Sequence, residues 1–455
     1  MSILEPNCGI GTFVHACLER FNDAEIAIGV DINGKYIAEL QSLASDYSQL
    51  RVFRSDFYDT AWTTLLSQLA EPILVIGNPP WVTNSELSVI GSSNVPKKQN
   101  FQNHSGLDAI TGKSNFDVSE WMLLRELEWL NGHCGTLAML CKTSVARKTL
   151  CHAWKQAAQI SGSDIYLIDA MAHFGAAVDA CLLVCDFQPA VRTTECSIHD
   201  GLKDTASGTF GFRDSRLISD VCTYDRHRLM AGQDGRFKWR SGIKHDCAEV
   251  MELRREGGLY RNGFDEHVEL EEGCLYPMLK GSQLANGRIG KPERWMLVTQ
   301  KFVGEDTNRI RELAPKTWKY LNRHVERFEH RASSIYKGRP PFSMFGVGEY
   351  SFALWKVALS AFYKRLDFRV VGPSCGKPVV FDDTCYFVPC QSQGEAELVC
   401  QLLRSAPAQE FYNSLIFWDS KRPITADILR HLNLSALAKE VGVKLRSDDQ
   451  EKLAF

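Results

Sequence analysis

Over the first 190 residues, short apolar runs alternate with stretches whose apolar residues recur at helical spacing. "MSILEP" reads as a strand entering a loop, and "GTFVHACLERF" follows with Phe13, Ala16, Cys17 and Phe21 on one helical face. "EIAIGVDIN" predicts a second strand, "GKYIAELQSLA" a helix, and "LRVFRSDF" a third strand. The Ile73–Ile76 run predicts a buried fourth strand within "EPILVIGNPPWVTNSE". "FDVSEWMLLRELEWL" predicts an amphipathic helix capped by Asp117 or Ser119. "GTLAMLCKTS" predicts a fifth strand, and "SDIYLIDAMAHF" and "DACLLVCDF" supply two more. Strands alternating with helices predict an α/β fold: a mostly parallel sheet with helices on both faces.

Residues 82–116 interrupt this rhythm with Ser, Asn, Gly, Lys and Gln, and predict a long loop, functional or mobile. The "TGKS" at 111–114 is no phosphate-binding loop, because Gly106 lies one position too far from Gly112 and no strand leads into it. After about residue 200 the spacing lengthens and aromatic and basic residues become more frequent. The expected boundary falls at 195, giving domains 1–195 and 196–455 of the 455 residues.

Composition narrows the class. The chain is 44% hydrophobic and 24% charged, as globular proteins are. No apolar run of membrane-spanning length and no signal peptide are present, so the expectation is a cytoplasmic protein without a membrane partner. Fifteen cysteines without a C-x-x-C pair imply reduced, mostly buried thiols and no zinc module or other metal site. Net charge is −3, but residues 1–190 hold 12 basic and 20 acidic residues, whereas the remainder holds 40 and 35. Within Lys280–Arg339 the balance is 14 basic to 6 acidic. That asymmetry points either to a polyanion on the second half, with Lys280, Arg294 and Arg339 as contacts, or to a solvated charged face.

Four strand ends carry the candidate chemistry. Gly9 and Gly11 in "LEPNCGIGTF" sit between a strand and a helix, where small residues either form a tight turn or let a ligand approach the backbone. Asp31 lies 20 residues beyond Gly11, the spacing of a ribose-binding acid, and alone it is also a plausible helix cap. Asp56 ends strand three, as an adenine contact or a cap. Asn78-Pro79-Pro80-Trp81 ends strand four on a stiff loop, since prolines fix φ and cannot donate to a ladder. The tetrapeptide by itself is equally a rigid turn with a core tryptophan.

Taken in order, these segments resemble the S-adenosylmethionine-dependent N6-adenine DNA methyltransferases with the gamma-type motif order, the methylases of restriction-modification systems. "EPNCGIGTF" resembles the cofactor loop, "GVDIN" the ribose acid, "SDF" the adenine contact and "NPPW" the catalytic motif. "SNFDVSEWM", "GTLAMLCKTS" and "HFGAAVDACLLV" resemble the segments that follow. "LYPMLKGSQL", "WKVALSAFYKRLDFRVVG", "VVFDDTCYFV" and "DSKRPIT" resemble parts of the target-recognition region. The resemblance implies a Rossmann-like class I methyltransferase sheet plus a C-terminal α+β target-recognition domain. It implies Glu5, Pro6, Cys8, Gly9, Gly11, Phe13, Asp31, Ile32, Asp56 and Phe57 around S-adenosyl-L-methionine, and Asn78 to Trp81 as catalytic residues. It implies Trp81 and Phe174 against a flipped-out base, double-stranded DNA as partner, and a separate cognate endonuclease. Glu5 stands where Asp is more usual, and members of this order carry an earlier motif. The expectation is therefore that an upstream segment, a partner or the following loop completes the pocket.

Asn-Pro-Pro-aromatic loops also serve methylation of RNA and of glutamine side chains, and N4-cytosine methylation is a smaller variant. A basic, aromatic-rich second half favours DNA. A non-catalytic DNA-binding subunit is the alternative outside enzymes.

Overall fold

The computed structural model describes residues 1–43, 45–82, 117–290 and 292–445. Apart from Val82, the expected loop at 82–116 and its "TGKS" lie outside the described residues. Two compact units divide at Cys222/Thr223.

In the first unit the apolar runs form strands β1 (Ser2–Glu5), β2 (Ile26–Asp31), β3 (Leu50–Arg54), β4 (Ile73–Gly77) and β5 (Gly135–Lys142). Helices α1 (Thr12–Arg20), α2 (Gly34–Leu43), α3 (Trp62–Leu66), α4 (Val118–Leu130) and α5 (Thr143–Lys155) separate or flank them. β6 (Ile160–Ile168), the short α6 (Ala170–Phe174) and β7 (Ala180–Phe187) follow, then β8 (Glu195–His199), β9 (Ala206–Arg213) and β10 (Arg216–Ile218). The sheet order is β10-β9-β8-β6-β7-β5-β4-β1-β2-β3. β3-β2-β1-β4-β5 are parallel, and β7 runs antiparallel to both β5 and β6. This is the Rossmann-like class I methyltransferase sheet.

Successive side chains leave opposite faces of a strand. Ile3 and Ala27 pack with Val14 and Leu18 of α1 and Ile37 and Leu40 of α2. α4 and α5 pack on each other and on β5. Asp117 caps α4 by accepting from Ser119 N at 3.2 Å, as its sequence position suggests.

Two expectations need correction. The sheet is mixed rather than mostly parallel, because the segment between β6 and β7 holds only the five-residue α6, too short for a parallel crossover. The first unit also runs past the expected boundary at 195, because β8 pairs in parallel with β6 and carries β9 and β10 onto the sheet.

The second unit is α+β. One sheet has the order β11-β20-β17-β18, from β11 (Arg240–Ser241), β17 (Trp355–Ser360), β18 (Arg369–Val371) and β20 (Cys385–Cys390). The other has the order β14-β13-β12-β16-β15-β19. It contains β12 (Glu252–Glu256), β13 (Leu259–Arg261), β14 (His267–Val268), β15 (Leu275–Leu279), β16 (Arg294–Leu297) and β19 (Val380–Phe381). Among the described residues no helix is long and apolar enough to cross a membrane, and no group of three metal-ligating side chains converges.

Candidate active site

The carboxyl ends of β1, β2, β3 and β4 open on one cavity of about 340 Å³, within the range of small-molecule sites. Asn7 and Gly9 line it from the β1 loop, Asp31 and Ile32 from β2, Asp56, Phe57 and Tyr58 from β3, and Asn78 and Pro80 from β4. Val82, Val118 and Met122 add apolar wall. Strand ends that are adjacent in a parallel sheet bring their loops together without any further device.

Asp31 ties two of these loops. Its Oδ2 accepts from Gly9 N at 2.9 Å and its Oδ1 from Asn33 N at 2.7 Å. Each carboxylate oxygen retains a lone pair for a ligand hydroxyl. Asn33, not Asp31, caps α2 by accepting from Lys35 N at 3.0 Å. Asp56 Oδ1 accepts from Tyr58 N at 2.9 Å, a local turn that holds Tyr58 at the wall. Phe57 is buried behind it, its ring 5.2 Å from Trp62 and 5.5 Å from Trp129.

The two glycines differ in role. A Cβ at Gly9 would meet nothing within 4 Å, so its backbone is open to an incoming group. A Cβ at Gly11 (φ +85°) would lie 2.3 Å from Leu40 Cδ1, so that glycine lets the loop close onto α2. Glu5 does not line the cavity. It is buried and accepts from Val14 N at 2.8 Å, capping α1 from below. Burial pushes its carboxyl up to about 8, Asp31 adding to the rise against the Val14 bond. Pro6 and Cys8 are buried and Phe13 half-buried, none of them at the cavity wall. Burial raises the Cys8 thiol to about 12, so it is not a nucleophile.

The Asn-Pro-Pro-Trp loop leaves β4 with Pro79 buried and Asn78 exposed toward the cavity. Among the described residues the Asn78 amide makes no hydrogen bond, which leaves its oxygen and nitrogen available at the cavity wall. Trp81 is half-buried, and its Nε1 donates to the Leu140 carbonyl of β5 at 3.3 Å, fixing the ring plane. The Trp81 carbonyl accepts from Lys142 Nζ at 3.2 Å, and the same ammonium pairs with Asp117 Oδ2 at 2.6 Å. Val118 N donates to Val82 O at 2.9 Å beside this brace. Lys142 lies within the predicted strand "GTLAMLCKTS" and is not among the sequence-derived candidates. A lysine at the carboxyl end of the strand next to β4, three strand ends from the proposed ribose acid Asp31, is the signal that marks it.

Phe174 lies outside the cavity wall, exposed at the end of α6. In the second unit Lys280 Nζ and Arg294 Nη1 converge on the buried Glu252 Oε2, at 2.6 and 3.5 Å. One carboxylate thus faces two cations, and it offsets part of their charge within the unit. Arg339 is exposed, its guanidinium 5.9 Å over the Phe345 ring. All fifteen cysteines are free.

Asn7 Oδ1 tests whether the cavity fits an adenosine-containing group. It is a buried acceptor at the wall without a partner among the described residues, and it calls for a ligand donor. Two carboxylates for hydroxyl and amino groups, beside Ile32 and Phe57 as apolar walls for a flat ring, fit such a group.

No protein-family model matches the chain. It is 45% identical over 442 residues to the Type II methyltransferase M.NspV of Nostoc sp. (strain ATCC 29411 / PCC 7524), covering 96% of this chain and 92% of that protein. Among solved structures it is similar to the Type IIL restriction-modification enzyme MmeI in complex with DNA, with a TM-score of 0.51 at 12% identity. That likeness covers 99% of this chain and 63% of the MmeI chain, and it bears on the fold alone.

Proposed function

The chain belongs to the Type II methyltransferases, and we propose that it methylates the N6 amino group of adenine in double-stranded DNA, using S-adenosyl-L-methionine. The reading makes it the cytoplasmic modification half of a restriction-modification system whose endonuclease is a separate polypeptide. One observation carries it: Asn78, whose amide makes no hydrogen bond among the described residues, lines the same cavity as Asp31 and Asp56.

S-adenosylmethionine, when bound, supplies an electrophilic methyl group on a sulfonium. The protein's part is to hold the cofactor and to activate the acceptor. Asp31 would accept from the ribose hydroxyls and Asp56 from the adenine amino group, with Ile32 and Phe57 as walls for the ring. The target's exocyclic nitrogen is a poor nucleophile because its lone pair is delocalised into the ring. Asn78 Oδ1 and the Pro79 carbonyl accept its two N–H groups, which localises the lone pair on nitrogen. The two prolines hold both acceptors in place before the substrate arrives, so little reorganisation remains for the transition state. No covalent enzyme intermediate is needed. A base within the duplex must leave the stack to reach this loop, and the braced Trp81 ring offers it a face, with Phe174 as the second. The second unit holds the duplex, Arg339 among its phosphate contacts.

The test is incubation of the chain with unmethylated bacterial DNA and S-adenosylmethionine, digestion to nucleosides and mass spectrometry. N6-methyladenine should form and should vanish in Asn78→Ala, while cofactor binding by calorimetry persists. Undiminished turnover in that variant refutes the mechanism, and N4-methylcytosine in place of N6-methyladenine refutes the base assignment.

A further inference from the structure

The segment AFYKRLDF, residues 361–368, joins β17 to β18. Its ends are anchored, with Ala361 and Phe368 buried. Between them Phe362 and Tyr363 stand 44% and 38% exposed, and the exposed cations Lys364 and Arg365 follow directly. Two large rings left in water at the tip of an antiparallel pair cost apolar exposure that a polar tip would avoid.

A second segment meets this tip. The Arg422 guanidinium lies 4.7 Å over the Phe362 ring, and the exposed Lys421 precedes it. Arg365 is tied back to the Ala285 carbonyl, which fixes one side of the tip. The nearby acid Asp367 is matched by Arg369 at 2.6 Å. Arg422 also acts on Asp383, opposing the rise that burial and Asp382 give its carboxyl. Lys364 and Lys421 form no ion pair among the described residues. Lys280 and Arg294, by contrast, meet on Glu252. A polyanion is drawn to cations that are not already neutralised, and a ring backed by guanidinium is suited to stack on an unstacked base.

We propose that Phe362, Tyr363, Lys364, Arg365, Lys421 and Arg422 form a contact surface for double-stranded DNA. The cations lie on phosphates and the Phe362 ring wedges against a base step. Apolar wedges flanked by basic residues are a general way to kink a duplex. The inference rests on the DNA reading above and adds where, and with which side chains, the second unit grips the duplex.

The experiment is fluorescence anisotropy of the full chain with fluorescein-labelled duplex fragments of unmethylated bacterial DNA, over a series of KCl concentrations. Lys364→Gln/Lys421→Gln should flatten the log Kd against log salt slope by about 2, one for each lost phosphate contact. Lys203→Gln/Lys439→Gln, two exposed lysines outside these two segments, should leave the slope unchanged. Phe362→Ala should weaken binding roughly tenfold or more at unchanged slope. Far-UV circular dichroism and cofactor binding confirm that each variant is folded. Variants that bind like the wild-type chain, or a control pair that flattens the slope equally, overturn the inference and leave the methyltransferase reading standing. A wild-type chain that binds no duplex overturns both.

Discussion

Lys142 is the residue whose removal tests most directly whether the Asn-Pro-Pro-Trp loop is held in place from outside. Its ammonium bonds the Trp81 carbonyl and pairs with Asp117, with the two side chains 24% and 8% exposed. Lys142→Met removes both contacts and leaves the Asp117 carboxylate nearly buried. Breaking a buried pair by deleting one partner costs ~3–5 kcal/mol. Two features reduce that here: Lys142 keeps some solvent access, and Asp117 still accepts from Ser119 N and from Ser119 Oγ at 2.6 Å. The expected loss of stability is therefore about 2–3 kcal/mol, read as a lower urea midpoint of the first unit's transition. The loop should also lose its fixed position, and a misplacement on the order of 1 Å costs about a hundredfold in rate. Single-turnover methylation on bound DNA should fall by about tenfold to a hundredfold while duplex Kd changes little. The double variant Lys142→Met/Asp117→Asn separates the two effects. Asn still caps α4 without a charge, so stability should largely return, whereas the methylation rate should stay low because nothing holds the Trp81 carbonyl. A Lys142→Met chain within twofold of wild type in rate refutes the brace. So does a double variant that recovers rate together with stability.

Two further predictions concern buried charge. Glu126 on α4 is fully buried with neither carboxylate oxygen partnered among the described residues, and burial pushes it from 4.5 up to about 8. The folded state then holds a proton that the unfolded state has lost, so this group lowers stability as pH rises from 4.5 to 8, by ~4–5 kcal/mol in all. Glu126→Gln should remove that slope, and a wild-type-to-variant difference that is flat across the window refutes the assignment. Lys356 on β17 is buried, donates to the Val379 carbonyl at 2.8 Å and to the Ala353 carbonyl, and burial lowers it from 10.5 to about 7. Here the unfolded state holds the extra proton, so stability rises with pH between 7 and 10.5 and the penalty is complete below 7, at ~4–5 kcal/mol. Lys356→Met should stabilise the second unit most at pH 6 and progressively less toward pH 10, and a constant difference between those limits counts against a lysine neutralised by burial.

The cavity was legible because a parallel sheet is built from local rules. Asp31, Asp56 and Asn78 each end an apolar run, and runs joined by helices place their ends side by side. The direction in which a side chain points is not in that pattern. The resemblance places Glu5 around the cofactor, and its carboxyl turns back to Val14 and caps α1. Gly9 and Gly11 look alike in the sequence, and only the approach of Leu40 distinguishes a packing glycine from an open one. Charge runs mislead for a related reason. Lys280 and Arg294 belong to the most basic stretch of the chain, but both reach Glu252, which enters from β12, so local charge density does not measure the charge left for a partner. Lys364 and Lys421 lie far apart in sequence, and Arg422 over the Phe362 ring brings their segments together. On the proposed reading the reaction rests on short-range order at four strand ends, whereas the proposed grip on DNA rests on pairings between distant segments. Variants at the first should change chemistry with binding intact, and variants at the second should change binding and its salt dependence with chemistry on bound DNA intact.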